Sequence, residues 1–321
     1  MQLIDIFYRI YNLSIHLPRM LRIFRADSVL RHSVTWISSH ILPTYFHCTK
    51  EQHRLIPKQE ERDSERKIIV SLTSFPARID KVWMVVESLI NQQQKPHKII
   101  LWLSKEQFPS IELLPQKLKK QRKRGLDIRL VDRDYRSHKK YLYAFREYPN
   151  DYVILVDDDI LYPSNFISEL LPGMENGDRV NCSYGCMIQY DKYGNLMPYN
   201  SWKRIINENT TDRRFFFGSG GGTVFIPSTL NPEICNIDDA FELCPTADDV
   251  WLNTMCRISG LKCCKVRGEL IFPIKIKDDQ TLFNVNGGLS QNDIQINNAI
   301  DYCIKKYNIN PFIFKSIAYE D

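Results

Sequence analysis

The chain has 321 residues, 43% of them hydrophobic and 25% charged, an ordinary balance for a soluble globular protein with a sizeable core. Its length suits one large α/β domain with an extension, or two modest domains. No stretch approaches the roughly twenty apolar residues of a membrane-spanning helix, and a net charge of +5 is too small for a basic surface over the whole body.

The charge is unevenly placed. Residues 1–50 carry Arg9, Arg19, Arg22, Arg25, Arg31 and Lys50 against only Asp5 and Asp27, which points to a basic partner surface near the N-terminus. Nine cysteines make an odd number at irregular spacing; Cys182 and Cys186 lie four apart and Cys263 and Cys264 are adjacent, so neither pair forms a CxxC zinc element. No cationic stretch followed by an apolar run and a small-residue cleavage site opens the sequence, so the expected setting is a reducing cytoplasm with free thiols.

In chain order, "MQLIDIFYRIYNLSIHLPRMLRIF" has helical spacing. Asp5, Arg9, Asn12, His16 and Arg19 form a polar stripe, while Leu3, Phe7, Ile10, Leu17, Leu21 and Phe24 fall largely opposite. Two readings stay open for residues 1–26: contact with an anionic membrane surface, or docking on the protein's own domain, with Pro18 bending or splitting the helix. Residues 50–66 are charged and aperiodic, and read as a linker, which divides the chain into an extension (1–65) and a main domain (66–321). "KIIVSLTSF" then predicts a strand, and "DKVWMVVESLINQQ" a helix with Val82, Val85, Val86, Leu89 and Ile90 on one face. "HKIILWLS" predicts a strand, Leu113 to Arg124 a basic helix closed by Gly125, "LDIRLVD" a strand, "HKKYLYAFREY" a helix and "YVILVDDD" a strand. Strands alternating with helices at this spacing predict a mostly parallel sheet with helices on both faces. Cations at the end of the helix over 113–124 suit its dipole, and without interleaved aromatics they do not suggest nucleic acid.

The fourth strand ends in "VILVDDDILYP", three adjacent carboxylates after a buried apolar run. Alternation puts Asp157 and Asp159 on one side and Asp158 on the other. Two carboxylates one residue apart can bracket a hard divalent cation that also takes phosphate oxygens. Thr73, Ser74 and Arg78, after the first strand, fall at the same carboxyl edge of the sheet, where ligands of such folds gather.

A strand ending in Asp-x-Asp midway along an α/β domain resembles the metal-binding motif of GT-A class glycosyltransferases. Together with "VSLTSFPARI", "DRDYRSHKKYLYAF", "GSGGGTVFIP" and "PTADDVWL" in that order, residues 66–300 resemble bacterial glycosyltransferases of capsular or other surface-polysaccharide pathways. The resemblance implies a GT-A-like fold and a nucleoside-diphosphate sugar bordered by Thr73, Ser74 and Arg78. It also implies that Asp157 and Asp159 hold Mn2+ or Mg2+ against the diphosphate, with Asp158 toward ribose or sugar. The acid pair Asp248-Asp249 matches the position of the family's base; Asp249 would take the proton of a glycan or lipid-linked acceptor and Asp248 would touch that acceptor.

Supporting segments follow. Lys139 and Lys140 open a helix whose free N–H groups and ammonium groups suit a diphosphate, against the plain alternative of two exposed lysines. Gly218, Gly220, Gly221 and Gly222 precede a strand rather than a helix, which excludes a Walker loop or dinucleotide fingerprint. Gly220, Gly221 and Gly222 are expected to let the backbone approach a sugar closely. In "CPTADDVWLNTM", Thr246 reads as an N-cap with Asp249 three residues on, a capping box that would stabilise the helix without any catalytic role. Lys275, Lys277, Asp278, Asp279, Asn292 and Asp293 fall in a segment resembling the family's closing element. His138 has no assigned role. Two rival functions stay open: a Mg2+-dependent nucleotidyl or phosphoryl transferase, and a non-catalytic sugar- or metal-binding module.

Overall fold

The computed structural model of the protein describes residues 2–49, 66–206, 209–274 and 291–313. Strands β1 (Ile68–Thr73), β2 (Lys98–Ser104), β3 (Leu126–Val131) and β4 (Tyr152–Leu155) lie parallel in the order β3-β2-β1-β4. Shorter strands follow: β5 (Ile160–Leu161), β6 (Arg179–Cys182), β7 (Gly185–Met187), β8 (Lys203–Arg204), β9 (Thr210–Thr211), β10 (Phe215–Phe217), β11 (Thr223–Phe225), β12 (Lys262–Lys265) and β13 (Phe272–Pro273). Beyond β4 the sheet continues β11-β6-β12-β9. There β11 is antiparallel to β4 and β6, β12 is parallel to β6, and β9 is antiparallel to β12. Six of these eight strands therefore share one direction, so the sheet is mixed and mostly parallel, as the alternation of elements predicts.

Helices cover both faces. Along β1, Ile68, Val70 and Leu72 face one apolar cluster while Ile69 faces the other. The first cluster takes in α1 (Leu3–Leu13), α3 (Ala26–Thr49), α4 (Val82–Ile90) and α7 (Phe166–Leu170); α2 (Arg19–Ile23) and α5 (Gln116–Gln121) complete this half of the chain. The second takes in α6 (Lys139–Glu147), α8 (Ile237–Leu243), α9 (Asp248–Ile258) and α10 (Gln291–Tyr307). All nine residues of α4 are buried, not only its predicted apolar face, because α3 lies over the side turned away from the sheet and seats Phe46 edge-on against Trp83 at 6.4 Å. The polar Glu87 of α4 is buried as well, accepting from Gln121 Nε2 at 2.8 Å and pairing with Arg124.

The first helix docks on the protein itself. Ile4, Phe7, Tyr8 and Tyr11 are buried, with the Tyr11 ring 5.0 Å from that of Phe272 of β13 and tilted 34° to it. Part of the predicted polar stripe turns inward too. Asp5 accepts hydrogen bonds from the Ser164 N–H (2.8 Å) and hydroxyl (2.9 Å), and Asn12 Oδ1 accepts from Leu270 N–H at 2.7 Å. Among the described residues no helix is long and apolar enough to cross a membrane. Trp83, Trp102, Trp202 and Trp251 are all core residues.

Candidate active site

The strand order turns outward from β1 to β2 and β3, then returns to place β4 on the other side of β1. A crevice opens at such a switch point, beyond the carboxyl ends of β1 and β4. A cavity of about 640 Å3 lies there, lined by Thr73, Ser74 and Arg78 after β1, Asp157, Asp158 and Asp159 after β4, Lys139 and Lys140 of α6, and Asp248 and Asp249 at the start of α9. Residues more than ninety positions apart in sequence thus meet in one volume.

The aspartates sit on a tight turn between β4 and β5 rather than on the strand. The Asp157 N–H donates to Gly220 O (3.0 Å) and to the Tyr162 hydroxyl (2.9 Å), and that hydroxyl donates to Gly220 O at 2.6 Å. Ile274 N–H donates to Asp159 O (2.7 Å) as β13 pairs with β5, bracing the turn from its other end. The predicted alternation holds: the Asp157 and Asp159 side chains are 42% and 30% exposed, that of Asp158 only 7%. Asp158 accepts from the Ser74 hydroxyl (2.5 Å) and from Arg78 (2.8 Å), and Arg78 also reaches Asp159 at 2.8 Å. Burial raises the Asp159 carboxyl to about 7, with the neighbouring Asp157 charge adding to the effect and Arg78 opposing it. Burial also raises Asp158, against Arg78 and the Ser74 hydroxyl.

Across the cavity, Lys140 joins the two acidic groups. Its ammonium lies 2.9 Å from Asp157 and 3.1 Å from Asp248, and its side chain is 3% exposed. Burial alone would push this lysine toward the neutral form; Asp157, Asp248 and Asp249 more than offset that and hold it charged. Lys140 is itself anchored through its carbonyl, which accepts from Ser71 of β1, whose hydroxyl in turn accepts from Trp102 Nε1 at 2.9 Å. Asp248 is buried, which disfavours its charge, yet Lys140 and the Ser219 hydroxyl (2.8 Å) hold its carboxyl below the ordinary range. Asp249 goes the other way. Burial and the adjacent Asp248 charge raise it to about 7, although part of its surface stays open to the cavity. Two adjacent carboxylates are thereby driven apart, one fixed as an anion and one poised near neutrality.

Several site expectations need correction. Gly220, Gly221 and Gly222 are buried behind the cavity wall and present no surface to a sugar; a Cβ on Gly220 would lie 1.8 Å from the Asp157 carboxylate, one on Gly221 2.6 Å from Tyr184, and one on Gly222 2.3 Å from Phe166. Their smallness makes room for the protein's own side chains. Lys139 is ion-paired with Asp134 and is buried rather than held out for a diphosphate. Thr73 lines the cavity but donates its hydroxyl to Trp102 O at 2.8 Å. Asp158 is committed to Ser74 and Arg78 instead of facing a ribose. Helix α9 begins at Asp248 with Ala247 as N-cap, and the capping box is absent. Instead the Thr246 and Ala247 N–H groups donate to Gln295 Oε1 (3.0 and 3.1 Å), and Asp249 Oδ1 accepts from the Ser219 N–H at 2.7 Å. The alternative structural role for Asp249 as a cap is thus removed. His138 is buried, bonded to Cys244 O (2.7 Å) and the Tyr141 hydroxyl (3.0 Å), and stays outside the cavity wall.

Asn292 joins the lining, and Asp293 Oδ1 accepts from Tyr199 N–H at 2.7 Å; Lys275, Lys277, Asp278 and Asp279 lie outside the described residues. Sequence reasoning missed Tyr162, Ser219 and the aromatic wall of Tyr184, Tyr199 and Phe216. Tyr162 follows the aspartates by three residues and Ser219 interrupts the glycine run, which were the available signals.

A divalent cation fits the turn in one respect. Asp157 and Asp159 both open to the cavity and supply hard oxygen donors, and their mutual repulsion is what a cation would relieve. Among the described residues no third acid, His or Cys joins them, so phosphate oxygens and water would complete the sphere, the common arrangement for Mg2+.

No protein-family model and no curated protein matches the sequence. Among solved structures, the chain is similar to a mannosyltransferase from Pyrobaculum calidifontis in complex with GDP-Man and Mn2+, at 9% identity over 87% of this chain and 75% of that one, with a TM-score of 0.46. It is also similar to a 4-diphosphocytidyl-2C-methyl-D-erythritol synthase from Anaerococcus prevotii, at 13% identity over 70% and 96% of the chains, TM-score 0.42. A CMP:2-keto-3-deoxy-manno-octonic acid synthetase complexed with CTP gives 10% identity over 71% and 100%, TM-score 0.40. Each superposition stays below 0.5, so the functional proposal rests on the site's own geometry.

Proposed function

We propose that the chain is a GT-A-type glycosyltransferase, with residues 66–321 as the catalytic domain and 1–65 as an extension. It moves a sugar, with inversion, from a nucleoside-diphosphate sugar to a glycan or lipid-linked acceptor in surface-polysaccharide synthesis. The work is done in the cytoplasm, at the inner face of the plasma membrane. The observation that carries this reading is the single cavity in which the Asp157–Asp159 turn faces the Asp248-Asp249 helix start, with one buried lysine tying the two.

In this reading Asp157 and Asp159 hold Mn2+ or Mg2+, which when bound neutralises the diphosphate charge. Thr73, Ser74 and Arg78 frame the donor side; the Nε–H of Arg78 is buried without a protein acceptor among the described residues. Asp249, near neutrality and partly open, takes the proton of the acceptor hydroxyl. As that oxygen bonds to the anomeric carbon, the bond from this carbon to the diphosphate oxygen breaks and the nucleoside diphosphate leaves. Asp248 stays ionised beside Lys140, keeping Asp249 basic enough to accept the proton.

Calorimetric titration of UDP, GDP, CDP and ADP with Mn2+, then with EDTA, tests the donor site. One nucleoside diphosphate should bind, and binding should vanish on chelation and in Asp159→Ala. Pyrophosphate among the reaction products, in place of a nucleoside diphosphate, would replace this reading with a nucleotidyltransferase.

A further inference from the structure

In the segment joining α1 to α3, every side chain from Pro18 to Arg25 is exposed, and α2 within it buries none of its residues. Met20, Ile23 and Phe24 are 73%, 71% and 78% exposed, and Leu21 is nearly half exposed. Four large apolar side chains held together in water form an unfavourable surface that single scattered residues do not. Arg19, Arg22 and Arg25 alternate with them, and no acid lies between Pro18 and Ala26. The next carboxylate, Asp27, is engaged by Arg31 at 2.8 Å. Neighbouring α1 has its apolar side covered by the body of the protein, so the membrane expectation for residues 1–26 cannot rest on α1; it narrows to this projecting turn.

We infer that residues 18–25 are a membrane-contact element, in which Met20, Leu21, Ile23 and Phe24 enter the headgroup region while Arg19, Arg22 and Arg25 pair with anionic lipid phosphates. Charge complementarity selects this occupant: three cations without a neutralising acid, each beside an apolar side chain, match an interface that is anionic outside and apolar beneath. Helix α1 is then the brace. Fixed to Ser164 and Leu270 by Asp5 and Asn12, it carries the element on the same body as the aspartate turn. The inference does not depend on the reaction proposed for the cavity.

The test is co-sedimentation of the full-length protein with phosphatidylcholine vesicles, with and without phosphatidylglycerol. Binding should require the anionic lipid and weaken in 1 M NaCl. Because an arginine near an anionic surface contributes about fivefold in affinity, the triple variant Arg19→Ala/Arg22→Ala/Arg25→Ala should lose about a hundredfold. Ile23→Ser/Phe24→Ser should lose binding even at low salt. These positions are exposed, so thermal unfolding and nucleotide titration of the variants should match the parent, which separates this inference from the catalytic one. Equal binding of parent and variants, no vesicle binding at all, or a dimer that Phe24→Ser dissociates without any vesicle binding would each overturn it.

Discussion

Asp249→Asn should make the protein more stable and inactive at once. An aspartate at its ordinary value of 3.8 is raised here to about 7. Between those values the folded chain holds a proton that the unfolded chain has released, so stability falls as pH rises from about 4 to about 7 and is level above. The ceiling on this cost is roughly 4 kcal/mol, and the part of Asp249 open to the cavity trims it to about 1–3 kcal/mol. Asparagine keeps Oδ1 for the Ser219 N–H and removes the ionisation. Urea unfolding at pH 8 should therefore show a gain of about 1–3 kcal/mol that shrinks toward zero near pH 4, while turnover drops roughly 100- to 10,000-fold. A variant equally destabilised at every pH would refute the electrostatic account, and one that gains stability but keeps full turnover would refute the assignment of the base.

Other outcomes follow from the same geometry. Lys140→Met strips the half-exposed Asp157 of its partner and leaves Asp248 buried without its cation, and should cost about 3–5 kcal/mol in urea unfolding; a loss below about 1 kcal/mol would mean that Asp248 finds another partner. Asp159→Asn should raise the melting temperature at pH 8 without metal yet abolish the further rise that Mn2+ gives the parent. Gly220→Ala, which places a Cβ 1.8 Å from the Asp157 carboxylate, should weaken Mn2+-dependent nucleotide binding far more than it lowers the melting temperature. Phe46→Ala should destabilise the whole chain by about 3–5 kcal/mol in a single transition; a separate early transition for α3 would show that the N-terminal helices fold apart from the sheet.

The layered core was legible because its signals are local. β1, β2 and β4 are runs of mostly apolar residues between polar turns, and the order of runs and helices dictates a mostly parallel sheet. Asp157 and Asp159 were legible as a pair on one side, with Asp158 on the other, although the turn held by Gly220 and Tyr162, not a strand, sets where they point. What escaped depends on partners distant in sequence. The link from Lys140 to Asp157 and Asp248 spans three separate elements, and the start of α9 is set by Gln295 and Ser219 rather than by Thr246. The glycine run showed that a side chain was unwelcome there, but not that Asp157, Tyr184 and Phe166 fill the space. The stripe on α1 marked two faces without saying what would cover either.

The hydrogen bond between Asn12 and Leu270 joins positions 258 apart. At a synthesis rate of roughly 5–20 residues per second, Leu270 leaves the ribosome about 13–50 s after the helix that needs it. For that interval Tyr8 and Tyr11 have no Phe272 to lie against, and the growing chain presents an apolar helix with arginines just beyond it. Helix α1 is thus made long before the contacts that fix it, and becomes a brace only when the segment from Leu270 to β13 arrives.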